Sequence, residues 1–167
     1  GGVGKTTLAY ATYTEISHQF EARCLLENIR EKSGKHGLKK LQEKILSLAL
    51  KTNVVVDSEI DGRSMIKSRL CTKSVLVVLD DVDDLKQLEA LAGSHDWFGE
   101  GSRIIITRDQ HLLTRKADTI HEVNLLSHDE AIKLFRKHAY REAKPVEDYE
   151  TLSLNVVSYA GGLPLAL

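Results

Sequence analysis

The chain has 167 residues, of which 42% are hydrophobic, and its 23 basic and 24 acidic residues give a formal net charge of -1. This is enough apolar material for one packed domain, and the nearly balanced charge argues against nucleic acid or an anionic membrane surface as a partner. Cys24 and Cys71 stand alone, and no apolar run approaches the roughly 18 residues of a membrane span, so we expect a reducing, cytoplasmic location.

The chain opens with a glycine-rich segment that matches the second half of the phosphate-loop pattern G-x-x-x-x-G-K-[ST]. In such a loop backbone N–H groups face phosphate oxygens, and the following helix places its positive end at the anion. We therefore predict that a purine nucleoside di- or triphosphate is bound by Gly2, Val3, Gly4, Lys5, Thr6 and Thr7. Lys5 would reach the β and γ phosphates, Thr6 would ligate Mg²⁺, and Thr7 would contact the α phosphate. The alternative is a glycine turn that only caps a helix.

Short apolar runs rich in β-branched residues alternate along the chain with longer stretches of helical period. This pattern predicts an α/β fold around a mainly parallel sheet. We predict strands at 24–29, 75–79, 104–107 and 120–123. The second is apolar at every position, so it belongs in the middle of the sheet, buried on both faces.

Leucine and isoleucine residues spaced three or four positions apart predict two helices between these strands. One follows a turn at 34–37, and a shorter one ends at Gly93. Their apolar faces would be formed by Leu38, Leu41, Ile45 and Leu48, and by Leu85, Leu88 and Leu91.

Two further helices are predicted in the last third of the chain. Ser127 and Glu130 form an S-x-x-E capping box, which opens a helix that runs through His138. Pro145 separates it from a last helix at 146–160, which ends at two glycines, Gly161 and Gly162.

Two carboxylates, Asp80 and Asp81, follow the apolar strand at 75–79 directly. A magnesium-dependent nucleotide site needs carboxylates at the carboxyl edge of a parallel sheet. We predict that Asp80 holds Mg²⁺ through water and that Asp81 orients or deprotonates an attacking water, which makes them the candidate catalytic residues. The alternative is a buried strand that ends in an acidic turn.

Arg108 directly follows the next predicted strand, where its guanidinium would sense the γ phosphate through charge-assisted hydrogen bonds. The alternative is a structural ion pair with Asp109. The C-terminal run at 161–167 is, by residue pattern alone, a helix C-cap and the start of another helix.

The order of these motifs resembles the NB-ARC domain of plant intracellular immune receptors of the nucleotide-binding, leucine-rich-repeat kind. The resemblance covers nearly the whole chain, because the phosphate loop is followed by FEARCLLENIREKSGKHGLKKL at 20–41, VLVVLDDVD at 75–83, matching segments at 101–113 and 123–140, and GLPLAL at 162–167. The segment at 20–41 and the closing Asp83, where the coiled-coil subclass usually has Trp, are similar to the subclass with an N-terminal TIR domain.

The resemblance implies a P-loop NTPase of the STAND and AAA-like kind, a three-layer sandwich whose first strand would precede residue 1. It places a nucleotide-binding subdomain at 1–125 and the start of a helical ARC subdomain at 126–167, each truncated by an end of the chain. It also assigns Pro164 to the base or ribose of the nucleotide. Arg108 would meet the γ phosphate, because the family's sensor strand lies between the strands that carry the phosphate loop and Asp80.

The function implied is that of an ADP/ATP-binding molecular switch in defence signal transduction. ADP and Mg²⁺ would hold a closed resting state, ATP would hold an open state that assembles with other copies, and slow hydrolysis would reset the switch. TIR and leucine-rich-repeat domains of the same receptor would be its partners. Alternatives from other classes are a metabolic P-loop ATPase or kinase, although no lid with clustered arginines is visible, and a non-functional remnant of a resistance gene.

One feature departs from the family pattern. Two threonines usually precede the sensor arginine, whereas this chain has only Thr107 before Arg108. Losing a residue inside a strand would swap the face that each following side chain occupies, unless the loss is absorbed at the strand's end. Arg108 is therefore either displaced from the sensor position or retained there by such an adjustment.

Overall fold

A parallel sheet lies at the centre of the fold. The computed structural model describes residues 1–108, 117–139 and 147–167, with side chains from 151 onward in the last range. In this part of the chain the sheet has the order β1-β2-β3, formed by β1 (Ala22–Leu26), β2 (Val75–Leu79) and β3 (Arg103–Ile106). The helices are α1 (Lys5–Ile16), α2 (Ile29–Leu50), α3 (Glu59–Leu70), α4 (Leu85–Ala92), α5 (His128–Ala139) and α6 (Glu147–Ala160). The predicted α/β fold is confirmed.

The chain divides into two units. Residues 6–116 form the larger unit, which holds the sheet, and residues 1–5 together with 117–167 form the smaller unit. The subdomain boundary predicted after residue 125 stays a prediction. No helix within the described residues has both the length and the apolar character needed to cross a membrane.

Strand β2 is the middle strand, as predicted, and its five residues are all fully buried. Val75, Val77 and Leu79 lie in the main core with α2, α3 and α4, while Leu76 and Val78 alternate with them and point to the opposite face. Each fully buried side chain of this size contributes about 1.5–3 kcal/mol to folding. Burial on both faces therefore holds the end of β2, where the carboxylates follow, in a defined place.

The predicted end of the first strand, at residue 29, is wrong. Strand β1 ends at Leu26, and Asn28 adopts a left-handed conformation with φ 53° before α2 begins at Ile29. Asn tolerates this conformation better than most residues because its short polar side chain suffers little steric conflict there. The turn brings the N-terminus of α2 to the carboxyl edge of the sheet.

Helix α2 is longer than predicted and kinked. Gly37 has non-helical angles (φ 77°, ψ 161°), whereas Gly34 lies within the helix, so the turn predicted at 34–37 is reduced to a single residue. Leu48 is 42% exposed, contrary to its predicted place on the apolar face. The buried face is shifted by about one residue around the helix and contains Leu41, Gln42, Ile45, Leu46 and Ala49.

Helix α3 has no counterpart among the sequence predictions. Its apolar pattern is weak, because Ile60 is 81% exposed and only Ile66 and Leu70 are large and fully buried. The sequence does indicate where α3 starts, because serine is a favoured N-cap residue. The Ser58 side chain accepts a hydrogen bond from the Asp61 N–H at 3.1 Å.

The end of the chain confirms two helix predictions and contradicts one strand. Helix α5 starts directly after Ser127, the first residue of the predicted capping box. Glu130 N–H donates to the Ser127 hydroxyl at 3.4 Å, and Ser127 N–H donates to the Glu130 carboxylate at 2.9 Å. Helix α6 ends before Gly161 as predicted. The strand predicted at 120–123 is wrong: the described structure shows no ladder there, and Ile120 is 61% exposed. Without a neighbouring strand, an apolar run has no ladder to join. Asp109 and Pro145 lie outside the described residues.

Candidate nucleotide-binding site

The phosphate-loop segment leads into helix α1, as the pattern predicts. Gly2 and Gly4 have φ values of +85° and +98°, which residues with a side chain rarely adopt. Helix α1 starts at Lys5, which is half-buried, and Thr6 and Thr7 lie exposed in its first turn. The first N–H groups of a helix have no acceptor within the helix and suit an anion, so this segment has the form of a phosphate site.

Thr6 meets the first strand-end carboxylate. Its hydroxyl donates a hydrogen bond to Oδ1 of Asp80 at 2.8 Å, joining two residues that are 74 positions apart. Asp80 is only 3% exposed. A hydroxyl and a carboxylate are hard oxygen donors of the kind that Mg²⁺ prefers, and Mg²⁺ in nucleotide sites takes few protein ligands because phosphates and water supply the others. The two residues therefore fit the predicted metal site.

Among the described residues no group of three or more His, Cys, Asp or Glu side chains is gathered so as to hold a metal ion.

The backbone around Asp80 and Asp81 is held by hydrogen bonds from neighbouring segments. Asp80 N–H donates to the Leu26 carbonyl at 2.8 Å, and the Ile29 and Arg30 N–H groups donate to the carbonyls of Asp80 and Asp81, each at 3.0 Å. Asp81 has φ 57°, an unusual value for a residue with a side chain. Asp, like Asn, adopts this left-handed conformation more readily than other residues with a side chain, so these hydrogen bonds hold it with little strain.

Thr107 completes this group of residues, although no role for it was predicted from sequence. Its hydroxyl donates to Oδ1 of Asp80 at 2.5 Å and accepts a hydrogen bond from the Asp81 N–H at 3.0 Å. The sequence contained an indication of this contact. Thr107 and Asp80 each lie at the carboxyl end of a predicted strand, and the carboxyl ends of parallel strands lie at the same edge of a sheet. The order of the strands along the sheet was the missing information.

Arg108 is buried, with 9% of its surface exposed. Backbone pairing continues past β3, because Thr107 N–H donates to the Leu79 carbonyl at 3.0 Å and Val82 N–H donates to the Thr107 carbonyl at 3.1 Å. The contact of Arg108 with the γ phosphate stays a prediction. Asp109, its alternative partner, lies outside the described residues.

Asp83, which pointed to the TIR subclass in the sequence, anchors the start of α4. Its Oδ1 accepts a hydrogen bond from Nε2 of Gln87 at 2.8 Å, and Oε1 of Gln87 accepts from the N–H groups of Asp83 and Asp84. Nε2 of Gln87 also donates to the Ser33 hydroxyl on α2 at 2.9 Å. The loop that follows the candidate catalytic residues is thereby tied to two helices.

In the smaller unit, the C-terminal motif contacts the glycine loop. Pro164 starts a short 3-10 turn and is half-buried. The next residue, Leu165, donates its N–H to the Gly2 carbonyl at 3.3 Å, and a side chain at Gly2 would lie 3.0 Å from the Leu165 Cβ. The residue pattern at 161–167 predicted a helix C-cap and the start of another helix. Both features are present, and the contact with Gly2 is additional to them. Binding of a base or ribose by Pro164 stays a prediction.

Comparison with known proteins identifies relatives along the whole chain. Residues 1–144 match the family described as NB-ARC domain. The TMV resistance protein N of Nicotiana glutinosa is 49% identical and covers 100% of the chain, and the disease resistance protein RUN1 of Vitis rotundifolia is 47% identical with the same coverage. The disease resistance-like protein DSC1 of Arabidopsis thaliana is 40% identical over 99% of the chain. The chain spans only 15%, 13% and 14% of the lengths of these three relatives, respectively.

Proposed function

Because this chain belongs to the family of NB-ARC domains, which are nucleotide-binding P-loop domains, we propose that it binds ADP and ATP with Mg²⁺ as the switch of a plant immune receptor. ADP holds the resting state, ATP holds the signalling state, and slow hydrolysis returns one to the other. TIR and leucine-rich-repeat domains are the partners within the receptor, which acts inside the cell and assembles with other copies when active. The names of the relatives, which are disease resistance proteins, support this proposal.

The observation that carries the proposal is the hydrogen bond from the Thr6 hydroxyl to Asp80. If the glycine turn only capped a helix, no contact between the residues that follow it and a buried carboxylate at the end of a strand would be expected. In a phosphate loop this contact is expected, because the loop hydroxyl and the carboxylate would together hold a metal that neutralises the charge of the phosphates. The contact therefore favours a nucleotide site over both simpler interpretations.

The residues then have distinct roles. Backbone N–H groups from Gly2 to Thr7 and the Lys5 ammonium bind the phosphates, and Thr6 and Asp80 hold Mg²⁺, Asp80 through water. When bound, the metal neutralises charge on the phosphate oxygens. Asp81 orients the attacking water or takes its proton, Arg108 senses the γ phosphate, and Pro164 packs on the base or ribose.

Isothermal titration of the chain with ADP and with ATP in Mg²⁺ tests the proposal. We expect dissociation constants near 1 µM, about -8 kcal/mol. Lys5→Arg should abolish binding, since a planar guanidinium does not replace a compact ammonium in a tight loop. Lys44→Arg, a change at an exposed position of α2, serves as the matched control and should bind normally.

Steady-state turnover separates the switch from an enzyme of metabolism. We expect ATP hydrolysis well below about one per second, the low end of ordinary enzyme rates. Faster turnover that yields a phosphorylated small molecule would replace the switch by a kinase. Absence of heat with both nucleotides would indicate a chain that does not bind them.

A further inference from the structure

The single threonine before Arg108 is bonded to both candidate catalytic residues at once. The Thr107 hydroxyl has one proton, which it donates to Oδ1 of Asp80 at 2.5 Å, and its oxygen accepts from the Asp81 N–H at 3.0 Å. One hydroxyl therefore orients the first carboxylate and holds the backbone of the second residue in its left-handed conformation, φ 57°.

The place of this hydroxyl is set by its backbone. Thr107 is 8% exposed, and its N–H and carbonyl are bonded to Leu79 and Val82, on either side of the carboxylate pair. The hydroxyl is thus fixed by the end of the sheet and needs no nucleotide to position it. A rigid supporting group of this kind is what keeps a metal-binding carboxylate in one orientation.

Oδ1 of Asp80 accepts two hydroxyls, and the two differ in their surroundings. Thr6 is exposed on the first turn of α1, whereas Thr107 is buried beside the sheet. If Thr6 turns its oxygen to Mg²⁺, its proton no longer points at Asp80. The bond from Thr107 is independent of that change and holds the carboxylate in place throughout.

We infer that Thr107 is a positioning residue for the Mg²⁺ site, because its hydroxyl fixes the Asp80 carboxylate and the Asp81 backbone together. This inference rests on the proposed nucleotide function. The positioning role of Thr107 depends on its hydroxyl group and not on the size of its side chain. It also gives the sequence departure at this position a structural meaning, since the remaining threonine sits where both carboxylate residues need a partner.

The test is a titration of Mg²⁺ into the chain with a fluorescent ADP analogue, preceded by a titration of the analogue in EDTA. In Thr107→Val, which keeps the shape but removes the hydroxyl, the apparent Mg²⁺ affinity should fall about 10–100-fold. The affinity for the analogue in EDTA should change far less. Thr107→Ser keeps the hydroxyl and should retain the Mg²⁺ affinity of the wild type within about threefold, the range expected for a substitution that removes no critical group.

Ser102→Ala provides the matched control. Its hydroxyl bonds to the carbonyl of Gly99 at 2.6 Å and accepts the Val75 N–H at 2.9 Å, at the opposite end of the same pair of strands. It therefore removes a comparable structural hydroxyl far from Asp80, and the Mg²⁺ affinity should not change.

The possible results separate the two claims. A wild type that binds no analogue overturns the proposed function and this inference with it. A wild type that binds normally, with unchanged Mg²⁺ affinity in Thr107→Val or equal losses in Ser102→Ala, overturns the inference alone. If Thr107→Val does not fold, Thr107→Ala, which also removes the hydroxyl, takes its place. Unchanged Mg²⁺ affinity in Thr107→Ala, or an equal loss in Thr107→Ser, overturns the inference.

Discussion

Gly162, the first residue of the GLPLAL motif, is required by a backbone contact that a single methyl group would break. Its φ is +78°, and a Cβ built on it would lie 2.4 Å from the carbonyl oxygen of Leu126. In the same contact Leu126 N–H donates to the Gly162 carbonyl at 2.8 Å. Gly162→Ala must therefore push the two backbone segments apart.

Three terms set the size of the effect. A left-handed conformation costs a residue with a side chain about 1–2 kcal/mol. Loss of the hydrogen bond adds about 0.5–1.5 kcal/mol, and overpacking adds about 1–3 kcal/mol. The neighbouring Gly161 has φ +56° and nothing within 4 Å of a built Cβ, so Gly161→Ala meets only the first term. The difference between the two variants should be about 1.5–4.5 kcal/mol.

Hydrogen exchange at the Leu126 amide measures this difference locally, because the amide exchanges when its bond to Gly162 opens. Relative to Gly161→Ala, the exchange rate in Gly162→Ala should rise at least about tenfold, since 1.4 kcal/mol corresponds to a factor of ten. Equal exchange rates in the two variants would refute the reasoning, because the contact with Leu126 would then contribute nothing in solution.

Four other outcomes are expected. Gly62→Ala should lower the free energy of unfolding by about 1–3 kcal/mol in urea denaturation, because the new methyl would lie 2.0 Å from Oε1 of the fully buried Gln42. At about pH 8, iodoacetamide should modify the exposed Cys71 and not Cys24, since burial raises the pKa of the Cys24 thiol from 9.0 to about 12. As pH rises above 9.0 the unfolded thiol loses its proton and the folded one keeps it until about 12, so the wild type should lose stability faster than Cys24→Ala, by about 1.4 kcal/mol per pH unit. Asp80→Asn should weaken Mg²⁺-dependent ADP binding at least about tenfold and change the free energy of unfolding by less than about 1 kcal/mol, because an amide oxygen still accepts both hydroxyls.

Matched variants control these outcomes. Gly34→Ala, in α2 with nothing within 4 Å of a built Cβ, should stabilise the chain by up to about 1 kcal/mol through helix propensity, so a loss as large as that of Gly62→Ala would contradict the packing argument. Asp57→Asn, at an exposed position, should leave the Mg²⁺ dependence unchanged. Alkylation of both cysteines at one rate, or identical pH slopes with and without Cys24, would show that this thiol is not buried in solution.

Elements with a complete local signal were predicted from sequence with good accuracy. Strand β2 has the predicted bounds because a run of five apolar residues, three of them valine, favours a short strand buried on both faces. The start of α5 and the end of α6 followed from a capping box and a glycine pair, which act within a few residues of themselves. The phosphate loop and the paired carboxylates are patterns of the same local kind.

Features that depend on a distant partner were not predicted. Helix α3 has a weak apolar stripe because Gly62 packs against Gln42 on α2, and no pattern within α3 records that neighbour. Residues 120–123 have the composition of a strand but no ladder in the described structure, because strand formation needs a neighbour as well as a sequence.

The candidate site shows the same division. The residues with the chemistry for a nucleotide and Mg²⁺ can be identified from the sequence alone, since glycine, lysine, threonine and aspartate occur in an order that few other functions require. The hydrogen bonds that Asp80 accepts from Thr6 and Thr107, residues that are 74 and 27 positions away, are visible only in the folded chain. The order of parallel strands selects these neighbours, and that order is a property of packing across the whole sheet rather than of any one segment.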